Sequence, residues 1–454
     1  MPSFLDRQRT VAPPGYNRFA VPPAALAVHL SIGQAYAFST FNLPLSKLIG
    51  ISKSAPDDWT LVQLGWIFSI AILFLGLSAA VFGRWVESAG PRKAMLAAAV
   101  CFGGGFLVSA LGISQHQLWL LYLGYGVLGG CGLGIGYISP VSTLIKWFPD
   151  RPGMATGMAI MGFGGGALIA APLSVKLMDH FKSATSNGVL ETFVTMGILY
   201  FVFMTIGAIV VRVPADDWRP AGWVPPSQPK KLVTTANVEV HTAFATPQFW
   251  LLWIVLCMNV TAGIGVLGQA SPMIQEMFTG RVTAAAAAGF VGLLSLFNMA
   301  GRFIWASTSD YIGRRNTYIV FFVLGIALYF SVPSIGRAGS MPGFVIAFAV
   351  ILSMYGGGFA TIPAYLRDVF GTLQVGAIHG RLLTAWSTAG VLGPVLVNYL
   401  RQAQIDRGVP KAQAYTVTMY IMCALLLIGL IANLLMRPVD SRHHYAGSGT
   451  GGTG

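Results

Sequence analysis

Twelve apolar runs, each long enough to cross a membrane, account for most of the sequence. A helix of about 20 apolar residues spans a bilayer, because lipid offers the backbone no hydrogen-bond partners outside the helix itself. Only 9% of the residues are charged, against about 25% in soluble proteins. The sequence therefore predicts an all-α integral membrane protein with twelve transmembrane helices. The runs occupy residues 21–47, 59–82, 93–113, 117–145, 154–178, 190–213, 248–274, 283–309, 316–336, 343–366, 376–400 and 413–436.

The basic residues indicate how these helices are oriented. The net charge is +13, but the positive residues lie between the apolar runs rather than in one patch, so we expect no nucleic-acid partner. With the N-terminus inside, the inner segments hold 18 Lys and Arg and the outer segments hold nine. Because basic loops favour the cytoplasmic side, this bias predicts that both termini face the cytoplasm. Residues 1–20 are polar and precede a run of spanning length, unlike a cleavable signal peptide. We expect a multi-pass protein of the cytoplasmic (inner) membrane.

The chain divides into two halves that share one pattern. A polar, proline-bearing stretch separates six runs from the next six. Laid on each other, the halves match at an offset of 223 residues, which places Glu87 on Asp310 and Gly90 on Gly313. The sequence therefore predicts two pseudo-symmetric six-helix bundles. The predicted segments are a cytoplasmic N-terminal segment at 1–20, a bundle at 21–213, a cytoplasmic linker at 214–247, a bundle at 248–437 and a flexible tail at 438–454.

Two short loops carry the same charged motif at this offset. Each has an acidic residue, a glycine three positions later and then basic residues. The pair resembles the acidic-x-x-Gly-basic loops that the major facilitator superfamily has between the second and third helices of each half. The resemblance implies two bundles that rock about a central site. An acidic side chain in such a loop can cap a neighbouring helix and bind arginine, closing the cytoplasmic face. The predicted gate residues are Gly83, Glu87, Gly90, Arg92, Asp310, Gly313, Arg314 and Arg315.

Arg302 is a full positive charge inside the otherwise apolar run 283–309. It lies about six residues, roughly 9 Å, past the midpoint of that run. A charge at this depth costs at least about 2.5–3.5 kcal/mol, so it normally faces a cavity and has a function. A guanidinium suits a carboxylate, which accepts two parallel hydrogen bonds. The repeat places Ala79 at the equivalent position, so the charge belongs to the second half alone, which favours a ligand site. Asn298 lies four residues earlier, on the same helix face.

Other polar and aromatic side chains lie at a similar depth in their runs. Aromatic rings near a basic centre would wall a small pocket, and tyrosines would supply hydroxyl groups. A histidine could titrate near neutral pH and carry a coupled proton, the alternative being a structural role. The candidates are Tyr137, Tyr355, Phe359, Gln34 and Tyr36 for the substrate and His29 for the proton.

Two helices resemble a narrower family. The segment 31–38, Ser-Ile-Gly-Gln-Ala-Tyr-Ala-Phe, resembles the first helix of monocarboxylate transporters, and 297–302, Phe-Asn-Met-Ala-Gly-Arg, resembles their eighth. The runs 147–157 and 259–265 resemble the bacterial oxalate/formate antiporter branch of the same group. The resemblance covers residues 20–437. It implies a carrier of small organic anions that binds its substrate with Arg302, Tyr355 and Phe359.

Two departures from these families bear on substrate and coupling. The oxalate antiporter has a lysine in the middle of its eleventh helix, where this chain reads Leu-Thr-Ala-Trp-Ser-Thr-Ala at 383–389. One buried cation best neutralises one carboxylate, so we expect a monocarboxylate such as lactate or pyruvate. Animal monocarboxylate transporters have a lysine and an aspartate where this chain has Thr40 and Asn298. Their proton relay therefore cannot be carried over.

We therefore predict proton-coupled symport of a small monocarboxylate, with organic-anion exchange of the oxalate/formate type as the alternative. A membrane receptor fits less well because the linker and tails are short, and a drug exporter because of the buried arginine. We predict no enzyme activity, cofactor or metal, since the sequence has no phosphate loop or nucleophile motif. The expected partners are the anion, a proton and the lipid bilayer, and we expect a monomer. The cysteines lack metal-ligand spacing and are Cys101, Cys131, Cys257 and Cys423.

Overall fold

The structure is a computed structural model that describes residues 4–51, 53–216, 218–224 and 232–445, apart from the side chains of residues 268, 284, 285 and 288. This described chain is helical, and its only β-pairing is an isolated bridge between Val11 and Val213. The predicted all-α class is confirmed. Parts of the predicted linker (217 and 225–231) and of the predicted tail (446–454) lie outside the described residues.

Ten helices in the described chain are long and apolar enough to cross a membrane. They are all of the helices numbered below except α1, α11 and α12. The helices are α1 (Pro22–Ile32), α2 (Leu61–Ala89), α3 (Pro91–Ser114), α4 (Leu118–Trp147), α5 (Pro152–Phe181), α6 (Val189–Val210), α7 (Pro247–Met277), α8 (Ala284–Ile312), α9 (Arg314–Arg337), α10 (Met341–Phe370), α11 (Val375–Leu382), α12 (Thr384–Asp406) and α13 (Thr416–Leu434).

The remaining two predicted spans are interrupted rather than continuous. The run 21–47 begins as α1 and then tightens into a 3₁₀-helix at Gly33–Phe41. The interruption begins where two backbones meet, since a Cβ at Gly33 would overlap the carbonyl oxygen of Phe163. The run 376–400 is divided at residue 383 between α11 and α12. Apolar composition predicted that these segments span, but not that their backbones break.

The internal repeat is visible in the helix bounds. Helices α2 and α8 each contain 29 residues, α3 and α9 each contain 24, and α4 and α10 each contain 30. Each second member begins and ends 223 residues after the first, so the offset read from the sequence holds at six helix ends. Thr60 and Thr283 cap the N-termini of α2 and α8 with their side chains. The two helices also end alike, at Gly90 and Gly313, whose φ angles of 86° and 87° favour glycine.

The described chain forms two compact units, each of which includes a short segment from the other half of the sequence. Unit 1 comprises Met1–Pro149, Met158–Pro220 and His379–Ser387. Unit 2 comprises Asp150–Gly157, Ala221–Ile378 and Thr388–Gly454. The start of α5 is thus packed in unit 2, and the junction of α11 and α12 is packed in unit 1.

Candidate functional site

Arg302 lies in α8 of unit 2, with none of its surface exposed. Its Nε donates a hydrogen bond of 3.1 Å to Oδ1 of Asn298. The two side chains lie one turn apart on the same helix face. The guanidinium carbon lies 5.3 Å from the ring centroid of Phe359 on α10, within the range of a cation–π contact. One amide and one aromatic face therefore orient the guanidinium plane.

Two glycines allow α8 and α10 to approach closely enough for this arrangement. A Cβ at Gly301 would overlap the carbonyl oxygen of Ser353, and one at Gly356 would overlap that of Asn298. Tyr355, beside Gly356, is 1% exposed and packs edge-on against Phe359 at 5.3 Å between ring centroids. The predicted residues of this half therefore lie together, on facing stretches of α8 and α10.

The electrostatics of this site suit an anion. Burying a guanidinium costs several kcal/mol unless an opposite charge or hydrogen bonds compensate. Asn298 contributes a neutral amide oxygen, and Phe359 contributes the negative face of its ring. A guanidinium donates charge-assisted hydrogen bonds to a carboxylate, so this arrangement is chemically compatible with an anionic ligand.

The other predicted site residues form a separate aromatic cluster in unit 1. Tyr137 on α4 is fully buried, and its ring centroid lies 5.5 Å from that of Phe163 and 5.4 Å from that of Trp386. Tyr36, in the 3₁₀ segment, packs edge-on against Phe163 at 5.1 Å and lies 6.5 Å from Trp386. His29 joins the cluster from α1, because its Nε2 lies 3.2 Å from the carbonyl oxygen of Tyr137.

Gln34 is buried in the same unit but is held by a different neighbour. Its Oε1 accepts a hydrogen bond of 2.9 Å from the Tyr125 hydroxyl. Tyr125 lies in a π-helical turn of α4, Tyr122–Gly129, which the sequence pattern did not predict. Glycines crowd this turn, since a Cβ at Gly124 would approach the carbonyl oxygen of Gly105 to 2.7 Å. The structure thus places Gln34 against the π turn, with its acceptor atom occupied.

His379 and Trp386 are two members of this cluster that the sequence did not identify as site residues. His379, on α11, is 1% exposed, and its ring centroid lies 5.8 Å from that of Tyr137. A histidine in a membrane run is the same signal that singled out His29. His379 lies near one end of its run, however, where depth in the membrane does not predict burial.

The first of the two charged loops joins α2 to α3. Glu87 forms an ion pair of 2.7 Å with Lys146 on α4. Arg92 donates to the carbonyl oxygen of Phe4 at 2.6 Å, and its guanidinium lies 4.2 Å from the Phe4 ring centroid. Lys93 pairs with Asp6 at 2.6 Å. The basic residues of this loop therefore bind the N-terminal segment. Gly83 is buried within α2, and Gly90 forms the turn.

The second loop lies between α8 and α9. The Asp310 carboxylate accepts hydrogen bonds of 2.8 Å from the backbone N–H groups of both Gly153 and Met154, in the first turn of α5. Arg314 pairs with Asp310 at 2.5 Å and with Asp368 on α10 at 3.2 Å. Asp310 thus caps a helix and pairs with an arginine at once, both within unit 2. Gly313 forms the turn, and Arg315 donates to the carbonyl oxygen of Leu434 at 2.6 Å.

Comparison with known proteins is informative at three levels. A family model described as Major Facilitator Superfamily matches residues 18–394. The chain is 26% identical over 379 residues to the oxalate:formate antiporter of Oxalobacter formigenes, covering 84% of each chain. It is 24% identical over 387 residues to monocarboxylate transporter 11 of Homo sapiens, covering 82% of this chain and 77% of that one. A solved structure of the proton:xylose symporter XylE matches with a TM-score of 0.65 at 15% identity, covering 92% and 95% of the two chains, which shows a shared fold.

Proposed function

Because the chain belongs to the major facilitator superfamily, and so is a multi-pass membrane transporter rather than an enzyme, we propose that it carries a small monocarboxylate together with a proton. L-lactate and pyruvate are the proposed substrates. The observation that carries this proposal is the fully buried Arg302, which donates a hydrogen bond to the neutral Asn298 and lies over the ring of Phe359. A guanidinium held in this way can donate two parallel hydrogen bonds to one carboxylate.

The carboxylate is proposed to bind Arg302 through two parallel hydrogen bonds. The bond from Nε to Asn298 and the stacking on Phe359 hold the guanidinium plane, which lowers the entropy lost when the anion binds. Asn298 and Tyr355 offer groups that can bond a hydroxyl or keto oxygen on the second carbon of the substrate. The proposed substrate-binding residues from the first half of the sequence are Tyr137, Tyr36 and Gln34.

Transport is proposed to follow alternating access, with both termini in the cytoplasm and the two bundles rocking about the binding site. The loops at Glu87 and Asp310 are the proposed cytoplasmic gate. The ion pairs of these loops are geometrically specific and reversible, which suits contacts that form and break in each cycle. We propose that the carrier acts as a monomer in the cytoplasmic membrane.

Coupling to a proton is proposed because uptake of an anion alone would be opposed by the membrane potential, negative inside. When one proton is carried with each monocarboxylate, no net charge crosses the membrane. His29, buried and in contact with the carbonyl oxygen of Tyr137, is the proposed acceptor from the sequence.

Exchange of organic anions is the second candidate, favoured by the similarity to the oxalate:formate antiporter. Against it stands the sequence in the middle of the run 376–400, where Trp386 lies and no lysine is found. A dicarboxylate bound to Arg302 would leave its second charge without a cation from the middle of this run.

Uptake of radiolabelled L-lactate into proteoliposomes tests the proposal. An inward proton gradient should drive accumulation without any anion inside the vesicles. A strict requirement for an internal counter-anion would refute symport in favour of exchange. Absence of uptake of lactate, pyruvate and similar monocarboxylates, with oxalate transported instead, would refute the substrate class.

A further inference from the structure

A second buried histidine lies beside the proposed proton acceptor. His379 is 1% exposed, and its Nε2 has no hydrogen-bond partner among the described residues. The ring of Tyr137 contacts both histidines, at 5.5 Å from His29 and 5.8 Å from His379 between ring centroids. A buried polar nitrogen without a partner destabilises the folded protein, because its lost hydration is not replaced. Such a group calls for an explanation in function.

The position of His379 is set by close helix packing. Gly380, the next residue, abuts α2, where a Cβ would overlap the carbonyl oxygen of Ala79. Ser387 donates a hydrogen bond of 2.8 Å to the carbonyl oxygen of Ile72 on the same helix. The segment His379–Ser387 is therefore held against α2 within unit 1. His29 and His379 come from opposite halves of the sequence, and both belong to unit 1.

We propose that His29 and His379, both in contact with Tyr137, form a two-histidine site that binds the transported proton. This inference rests on the proposed symport and identifies its proton-binding groups. Imidazole is the side chain whose ordinary titration falls near neutral pH. Two imidazolium charges in one buried site repel each other, so the pair takes up a single proton and shares it as one titrating system. The atom that accepts the proton is Nε2 of His379.

The charged surroundings fit a site that is only transiently protonated. Among the described residues no carboxylate bonds to His379. Tyr137 on α4 contacts the His379 ring, and His29 on α1 contacts Tyr137. Glu87, the carboxylate on α2, pairs with Lys146. Arg381 follows on α11 and interacts electrostatically with Arg84 on α2. No carboxylate therefore traps the proton on His379, and release after transport is not opposed by a permanent ion pair.

The test compares net transport with exchange in the His379→Gln and His29→Gln variants. Gln places an amide near the position of Nε2 but cannot take up a proton. Exchange of labelled lactate between equal concentrations on both sides does not require proton release. A gradient of one pH unit can drive about tenfold accumulation in a one-to-one symport. We expect each variant to lose this accumulation, to a ratio of about one, while exchange stays within about twofold of the wild type. His180→Gln, at an exposed position on α5, is the matched control and should behave as wild type.

Two results would overturn the pair. One is wild-type accumulation in both variants. The other is loss of exchange together with accumulation in correctly folded protein, because that would indicate a role in substrate binding or packing. Should His379→Gln fail to fold, His379→Asn is used in the same assays.

A measurement without substrate separates failure of this inference from failure of the proposed function. Nitrogen-15 labelling of the seven histidines allows their protonation to be followed by NMR in lipid. We expect a coupled titration of two buried signals, with one signal absent in His379→Gln and the other shifted in its midpoint. Independent titration of His29, unchanged in the variant, would contradict the pair even if lactate symport were established. Coupled titration without any lactate transport would instead refute the substrate and keep the proton site.

Discussion

Helices α2 and α8 have the same frame but different chemistry. Each contains 29 residues, begins after a threonine cap and ends at a glycine with positive φ. At equivalent positions, however, α2 has Ala79, which lies against Gly380, and α8 has Arg302, which lies over Phe359. Caps and turns depend on local backbone geometry, which both halves need equally. In the proposed function the buried cation serves a ligand that is needed only once, which explains why the repeat keeps the helix ends and not the charge.

The loops that follow these helices differ in the same way. Asp310 accepts hydrogen bonds from two backbone N–H groups of α5 and pairs with Arg314, whereas Glu87 pairs with Lys146. The longer glutamate reaches a partner side chain, while the shorter aspartate lies close to a helix N-terminus. The second half therefore has the more deeply buried ion pair, and it also carries the proposed ligand cation.

The largest expected effect is that of Arg302→Ala, which gives α8 the residue that α2 carries. Loss of a buried charge-assisted pair costs about 3–5 kcal/mol, so we expect lactate uptake to fall by at least about 100-fold. Arg302→Lys keeps the charge but loses the planar fork, and we expect a fall of about 10–100-fold. Initial uptake rates in proteoliposomes measure both.

The matched control for Arg302 is Arg281→Lys, in the loop before α8, where the side chain bonds the carbonyl oxygen of Gly339. Its uptake should stay within about twofold of the wild type. Near-normal uptake in Arg302→Lys would contradict the assigned role. A large fall in melting temperature of Arg302→Ala would instead indicate a structural cation.

The second-largest loss is expected for Asp310→Asn, in the loop between α8 and α9. Asp310→Asn removes the ion pair with Arg314 and leaves only one acceptor oxygen for the two N–H groups of α5. Because the pair is largely buried, we expect stability to fall by about 3 kcal/mol. Unfolding in detergent, followed by tryptophan fluorescence, measures this loss. Transport should fall as well, since the gate contact weakens. Full stability of the variant would refute the helix-capping role.

A smaller effect is expected at Glu276, whose repeat counterpart is Lys53. Glu276 lies beyond the apolar span Pro247–Leu267 and accepts hydrogen bonds from Arg401 at 3.0 Å and Tyr415 at 2.8 Å. Burial alone would raise the pKa of this carboxyl, but these bonds and the charges of Arg401 and Lys411 hold the pKa below its ordinary 4.5. We expect Glu276→Gln to cost ~1–2 kcal/mol of stability at neutral pH.

The pH dependence of that cost follows from the sign of the shift. A carboxyl with a lowered pKa in the folded state adds stability above its unfolded pKa and loses it as the pH falls through the folded pKa. The difference in stability between wild type and Glu276→Gln should therefore be full at pH 7 and close below pH 4.5. Melting temperatures at pH 7, 5 and 4 measure it. A gap that stays constant over this range would show that the ion pair contributes nothing.

The smallest effect is expected for Glu87→Gln. The side chains of this pair are 26% exposed at Lys146 and 11% exposed at Glu87, so the pair is less buried than that of Asp310. We therefore expect a stability loss of about 1 kcal/mol. The ratio of this loss to that of Asp310→Asn tests the comparison of the two loops directly. Equal losses of stability in the two variants would show that the two loops contribute equally to stability, although the Asp310 pair is more deeply buried.

Much of the fold follows from local signals in the sequence. The glycines at 90 and 313, which are 223 residues apart, predict where α2 ends before α3 and where α8 ends before α9. A glycine with a positive φ commonly marks the end of a helix. The predicted family is confirmed. The breaks at 33–41 and at 383 could not be predicted, because mean apolarity over a window does not register where two backbones touch.

The candidate site was predictable only where its residues share a helix or a family motif. Asn298 follows from its spacing to Arg302, and Phe359 and Tyr355 follow from the resemblance. Their assigned roles stay predictions. The burial of His379 and its contact with Tyr137 depend on the packing of α11 against α2. Such long-range contacts leave no periodic trace in the sequence.

The attachment of the N-terminal segment to the first loop bears on how the protein is best handled. Phe4 and Asp6 are bound by Arg92 and Lys93, beside the turn that contains Gly90. A fluorescent protein or affinity tag fused close to Phe4 would disturb these contacts and so the proposed gate at Glu87. Labels for single-molecule or transport experiments therefore belong elsewhere on the chain, and an N-terminal fusion can be used on purpose to perturb the Glu87 loop.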